Sequence, residues 1–209
     1  MHKVSNSAAL LAGAFLLVAA APEKTQRLKE SGGATIGMQA PPFGAFDLAG
    51  RNVLALAALL KTPAPAPLLV TFGASWCVPC NEGLPRLVEL EKKHKGAFRL
   101  VLVDVEPDAQ AAQGFAAKCG MTGPALLDKF EVIAKSYGLH DNNKLALPRT
   151  FLLTAKGRVA GIYREEGKDL EEVIEADLKQ LLAAADAPPP QPQAAPAQPP
   201  AAPAAPAAK

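Results

Sequence analysis

Blocks of apolar and mixed positions alternate along the middle of the chain. The run PLLVTF (67–72) is apolar with β-branched residues and predicts a buried strand. In CNEGLPRLVELEKKH (80–94) the period changes, with apolar residues at 84, 87, 88 and 90, which predicts a helix. Glu82 with Arg86, and Glu89 with Lys93, have the i,i+4 spacing of supporting ion pairs. Pro85 lies inside that helix and predicts a kink, because its ring removes a donor and crowds the preceding turn. FRLVLVDVE (98–106) predicts a second buried strand. DAQAAQGFAAKCG (108–120) predicts a helix with Asp108 as its N-cap and Gly120 past its end. DKFEVIAKSYG (128–138) has the same borders and predicts another helix. RTFLLTAKGRVAGIYRE (149–165) predicts two strands around a Lys156–Gly157 turn. KDLEEVIEADLKQLLAAA (168–185) places Leu170, Val173, Ile174, Leu178, Leu181 and Leu182 on one side of a terminal helix. Ahead of all these, GAFDLAGRNVLALAALL (44–60) divides into two short extended runs around Gly50-Arg51.

The order β-α-β-α-(α)-β-β-α implies a right-handed parallel crossover first and an antiparallel hairpin late. The fold class is therefore α/β, a mixed central sheet flanked by helices, with an N-terminal β-hairpin extension. The folded unit is expected at 38–185.

The ends differ in composition from this unit. Residues 1–21 carry Lys3, then an uncharged apolar run from Ala8 to Ala21 that ends in small residues. Val18-Ala19-Ala20 fits a small-x-small cleavage site, and the run is short for a bilayer span, so a signal peptide is expected rather than an uncleaved N-terminal anchor. Residues 22–37 are polar with glycines and read as a linker. Residues 186–209 read as a disordered Ala/Pro-rich tail: nine of the chain's 20 prolines lie there, with little apolar area to offset ordering entropy.

Composition narrows the function. The 209 residues are 49% hydrophobic, enough for one core, and the net charge of +2 comes from unclustered basic residues. No nucleic-acid partner is expected. The three cysteines are too few for a disulfide scaffold.

Two of those cysteines form Cys77-Val-Pro-Cys80, at the junction of the strand and the helix. Zinc would need four ligands, or three and a water, and the chain offers only Cys119 and three histidines besides, so no metal is expected. A disulfide closing so short a loop removes little chain entropy and makes a poor staple. Redox chemistry suits the position better. The first amides of a helix favour a thiolate at Cys77, and Cys80, a turn later, is placed to resolve a mixed disulfide. Pro79 is tolerated in a first helical turn. Trp76, the chain's single tryptophan, precedes the nucleophile and is expected as a lid over the dithiol.

FGASWCVPCNEGLP resembles the active-site stretch of the thioredoxin superfamily, and most closely its exported TlpA/ResA-type branch, whose usual pattern is F-W-A-x-W-C-x-P-C-x-x-E-x-P. The leader APPFGAFDLAGRNVLALAALL and the later LPRTFLLTAKGRV are similar to further runs of that branch, so the resemblance covers 38–185. It implies a thioredoxin fold, a cis bond before Pro148, and a substrate strand pairing beside Leu147. It also implies a redox-active disulfide without other cofactor, protein substrates bearing thiols or disulfides, a membrane electron-donor protein, and a periplasmic or otherwise extracytoplasmic location.

Several positions depart from the pattern. Gly73 replaces an aromatic residue, which predicts looser packing near the dithiol. Thr71 stands where cytoplasmic thioredoxins carry a buried aspartate. Gly83 stands where ResA-type proteins carry a glutamate, and Glu82 points about 100° away around the helix. No acid for the Cys80 proton is thus identified. Arg149 follows Pro148 in place of threonine and would tune partner choice if exposed. Cys119 is expected to be buried and inert, and His140 to lie in a polar loop.

The leading expectation is an exported thiol-disulfide oxidoreductase that reduces partner disulfides, because no histidine lies between the cysteines to stabilise the reduced form. The branch's clients suggest cytochrome c maturation or copper-site assembly. The alternative is a thioredoxin-fold copper metallochaperone, or a tethered adaptor that docks through its Pro-rich tail. A peroxiredoxin-like site would want Thr-x-x-Cys, and Thr71 lies too far before Cys77.

Overall fold

Strand β6 (Leu68–Gly73) is buried at all six positions, and it anchors the molecule. In this computed structural model residues 24–186 are described, apart from 62, 95, 143, 165 and 166. The signal expected at 1–21 and the tail from 187 onward lie outside the described residues.

Elements in chain order are β1 (Gln26–Arg27), β2 (Glu30–Ser31), β3 (Ala34–Thr35), β4 (Gly44–Phe46), β5 (Val53–Ala55), α1 (Leu56–Leu59), β6, α2 (Val78–His94), β7 (Arg99–Asp104), α3 (Ala109–Lys118), β8 (Ala125–Leu127), α4 (Val132–Ser136), β9 (His140–Asp141), β10 (Lys144–Leu145), β11 (Arg149–Leu153), β12 (Val159–Arg164) and α5 (Leu170–Asp186). The main sheet runs β1-β12-β11-β6-β7-β8. β6, β7 and β8 are parallel, while β11 runs antiparallel to both its neighbours, β6 and β12. Helix α2 makes the crossover from β6 to β7.

The apolar runs became central strands because both faces of the sheet are covered. Val70, Phe72, Val101, Val103 and Phe151 point to one core with Tyr137; Leu69, Leu100, Leu102 and Leu152 point to the other, under α2, α3 and α5. Fully burying one such side chain contributes roughly 1.5–3 kcal/mol. Tyr137 stacks edge-on to Phe151 at 4.9 Å between centroids. Asp108 caps α3, accepting from the Ala111 amide at 3.0 Å, and Gly120 beyond the helix takes φ 73°. Gly157, at φ 76°, turns the β11–β12 hairpin.

Four expectations change. First, residues 24–37 are not a linker. β1 adds an edge strand to the sheet, pairing Gln26 with Arg164 and Arg27 with Tyr163, while β2 and β3 form a hairpin that buries Ser31 and Ala34. Second, the helix expected at 128–138 contracts to α4, because Asp128 turns inward to accept from the Ala134 amide at 2.8 Å. Strand β8, just before it, went unseen. Third, the second run of the 44–60 leader is extended only through β5 and then coils into α1. Fourth, the helical ion pairs re-partner. Arg86 donates to Glu171 of α5 and to the carbonyls of Gly167 and Lys168, Lys93 reaches Glu175, and Glu89 binds Lys92. Arg86 and Lys93 thus tie α2 to α5, while the Glu89–Lys92 pair stays within α2. Pro85 lies inside α2 without ending it.

Candidate active site

Cys77 immediately precedes α2, and Cys80 is its third residue. Their sulfurs are joined, S–S 2.00 Å, with Cα atoms 5.2 Å apart. The Cys80 amide points at the Cys77 sulfur, N···Sγ 3.2 Å, so the positive end of α2 faces that sulfur, a position that favours a thiolate. Both cysteines are buried, while Trp76, Val78 and Pro79 around them are exposed. At 56% exposure Trp76 is no closed lid but a surface aromatic beside nearly covered sulfurs.

The loop before Cys77 is held from two sides. The Asn81 side-chain amide donates to the Ser75 carbonyl at 2.8 Å and to the Cys77 carbonyl at 2.9 Å, and Lys118 donates to Asn81 Oδ1 at 3.1 Å. On the other side, Glu106 Oε1 accepts from the Ser75 amide at 2.8 Å and also from the Ser75 hydroxyl. Asp104 Oδ1 in turn accepts from the Glu106 amide at 2.8 Å.

Asp104 is fully buried, and burial first, then the neighbouring Glu106 charge, push its carboxyl up to about 7, against the opposing hydrogen bond from the Glu106 amide. Among the described residues its Oδ2 has no hydrogen-bond partner. Ser75, Asn81, Asp104 and Glu106 fill no defined position of any motif in the sequence. Their one sequence signal is an acid ending an apolar strand, in VLVDVE.

The Leu147–Pro148 bond is cis. Pro148 is buried and lines a crevice with Gly73, Cys80, Leu84 and Phe115 that is too narrow for water. Packing at Gly73 is therefore not loose. A Cβ there would meet the Phe115 ring at 3.4 Å and Cys80 Cβ at 3.5 Å, so the Phe115 ring fills the space an aromatic at 73 would need. Thr71 is buried and accepts from Thr150 at 2.9 Å, a neutral pair across β6 and β11. Gly83 is buried within α2 and Glu82 is exposed.

Arg149 is not exposed. At 4% exposure it donates to Ser31 Oγ at 2.8 Å, and Ser31 donates to the Tyr137 carbonyl at 2.7 Å, so it ties the N-terminal hairpin to the cis-proline loop. Cys119 is free and buried at the end of α3, and burial raises its thiol. His140 pairs with Glu131 at 2.7 Å. A groove of about 640 Å³ between β4 and the β8–α4 turn includes neither Cys77 nor Cys80.

A Redoxin family model matches residues 36–182. The thiol-disulfide oxidoreductase ResA of Bacillus thuringiensis is 29% identical over 147 residues, which cover 70% of this chain and 78% of the relative. The thioredoxin-like protein YneN of Bacillus subtilis is 27% identical over 154 residues, 71% of this chain and 84% of YneN. Among solved structures, a putative thiol:disulfide interchange protein DsbE from Chlorobium tepidum superposes with a TM-score of 0.62 at 23% identity, covering 71% of this chain and 99% of that one. With its dithiol at the head of α2 and a cis-proline at its side, the chain belongs to the Redoxin family and is a ResA-like thiol-disulfide oxidoreductase of the thioredoxin superfamily.

Proposed function

We propose that the protein is an exported reductant of protein disulfides. In the reduced form the Cys77 thiolate attacks one sulfur of a partner's disulfide. A Cys77–partner bond forms, and the partner's other sulfur leaves as a thiolate and takes up a proton. Cys80 then loses its proton and attacks the Cys77 sulfur. The Cys77–Cys80 bond closes, and the partner's second sulfur leaves as a thiolate. The partner gains two electrons, which a membrane electron-donor protein returns to the dithiol; no further cofactor takes part.

The observation that carries this reading is the Cys77–Cys80 disulfide on the first turn of α2, with only Val78 and Pro79 between the sulfurs. An oxidising couple needs an added group to stabilise its reduced form, and a histidine between the cysteines is the usual one. Trp76, Val78 and the backbone of Leu147 and Pro148 form the surface on which a partner strand lies. Clients of the kind met in cytochrome c maturation or metal-site assembly fit a narrow reductant with an exposed apolar rim. The apolar run in residues 1–21 supports export, with cleavage after Ala20.

The midpoint potential against glutathione tests the direction. A value near or below thioredoxin's, about −270 mV, supports the reductant, and one near about −120 mV overturns it.

A further inference from the structure

The acid that the dithiol lacks at Thr71 and Gly83 is present on a different strand. β6 and β7 run parallel in register, and Gly73 at the end of β6 pairs with Asp104 at the end of β7. Paired residues project to the same face of a sheet, their backbones about 4.8 Å apart. At Gly73 that face leads to Cys80, whose Cβ would be 3.5 Å from a Cβ on residue 73. Two residues back, Leu102 points the same way and shares a core cluster with both cysteines. The Asp104 carboxyl thus emerges on the dithiol's side of the sheet, next to a strand position that has no side chain to shield it.

Its surroundings specify its chemistry. From the following loop, Glu106 is buried to 5% exposure and holds Ser75, two residues before Cys77. From α3, Cys119 is close enough for its thiol to be raised by the Asp104 charge, and Lys118 opposes that effect. Just past β8, the Asp128 amide donates to the Asp104 carbonyl at 2.7 Å, while the Asp128 carboxyl turns away to the Ala134 amide. From α2, the dithiol itself is the remaining titratable group. No basic side chain is hydrogen-bonded or ion-paired to either carboxylate among the described residues.

We propose that Asp104 and Glu106 act as a coupled pair of positioning residues for thiol exchange, Glu106 fixing the Ser75 turn that presents Cys77 and Asp104 setting the charge beside the dithiol. Asp104 accepts from the Glu106 amide at Oδ1 and has no hydrogen-bond partner at Oδ2 among the described residues, so in its ionised form this buried carboxyl lies near the Glu106 charge with little to compensate it. Near neutral pH the proton count on Asp104 changes, and with it the cost of forming a thiolate. This rests only on exchange at Cys77 and Cys80, in either direction.

The test uses the reduced full chain. Its rate of reaction with oxidised glutathione, and its thiolate absorbance in the ultraviolet, are followed from about pH 5 to 9. Two steps are expected in the wild type, one from Cys77 and one from Asp104. Asp104→Asn keeps the acceptor for the Glu106 amide; it should leave one step, moved to lower pH, with about three- to tenfold more thiolate at pH 6. Glu106→Gln keeps the acceptor for Ser75; both steps should remain, with that of Asp104 moved to lower pH. An Asp104→Asn profile superimposable on the wild type overturns the proposal, as does an Asp104 step that Glu106→Gln leaves in place. Should Asp104→Asn not fold, Glu106→Gln decides alone. An oxidising midpoint potential would overturn the reductant reading and leave these profiles unchanged.

Discussion

Arg149 donates to Ser31 Oγ at 2.8 Å across 118 residues of sequence, inside the protein and immediately after the cis-proline. The contact makes the β2–β3 hairpin part of the wall behind the cis-proline loop. Ser31→Ala removes the acceptor for a buried guanidinium and the donor to the Tyr137 carbonyl together, so a loss of about 1–3 kcal/mol is expected in urea unfolding.

The same contact predicts what truncation does. A chain beginning at residue 38 loses β1, β2 and β3, and with them the edge pairing on β12 and the cover over Arg149. It should unfold at lower denaturant than a chain beginning at residue 22, and its m-value should fall with the smaller buried area. Equal midpoints would mean that 24–37 contributes nothing to the fold.

What could be read from the sequence followed how each element is stabilised. β6, β7 and β11 are buried on both faces, so each contains a run of consecutive apolar residues in place of an alternating pattern. α5 buries one face, so its apolar residues recur at helical spacing. β1, β2 and β3 are two residues each and join the fold by backbone pairing and by Ser31, which leave no trace in hydropathy. Arg86 looked like half of an i,i+4 pair because spacing reports neighbours on one helix and not the helix packed across from it. The dithiol was legible because two cysteines at that spacing have few other uses. Asp104 showed only as an acid ending an apolar strand, a signal that does not say whether the side chain turns inward or to solvent.

Gly73 offers a test of packing beside Cys80. A methyl fits, since the nearest atoms lie at ordinary contact distance, so Gly73→Ala should change stability by less than about 1 kcal/mol. Gly73→Trp collides with the Phe115 ring and should cost about 1–3 kcal/mol or more. Combining it with Phe115→Ala opens that space, so the double variant should lose less than the sum of the two singles. Strict additivity in thermal unfolding would show that the two positions do not share one volume.

Asp104 also makes stability depend on pH with a definite sign. Its carboxyl titrates near 3.8 when unfolded and is raised to about 7 in the folded protein. Between those values the native state binds the extra proton, so stability is greatest below about pH 4 for this group and falls as pH rises through 7. The full loss would be up to about 4 kcal/mol on a one-unit cost of about 1.4 kcal/mol. Asp104→Asn keeps the hydrogen bond to the Glu106 amide and carries no charge. Its urea midpoint should decline less than the wild type's between pH 5 and 8, and the variant should be the more stable of the two at pH 8. A wild-type decline that persists unchanged in Asp104→Asn would assign the titration to another group, Asp128 being the first to examine because burial raises its carboxyl as well.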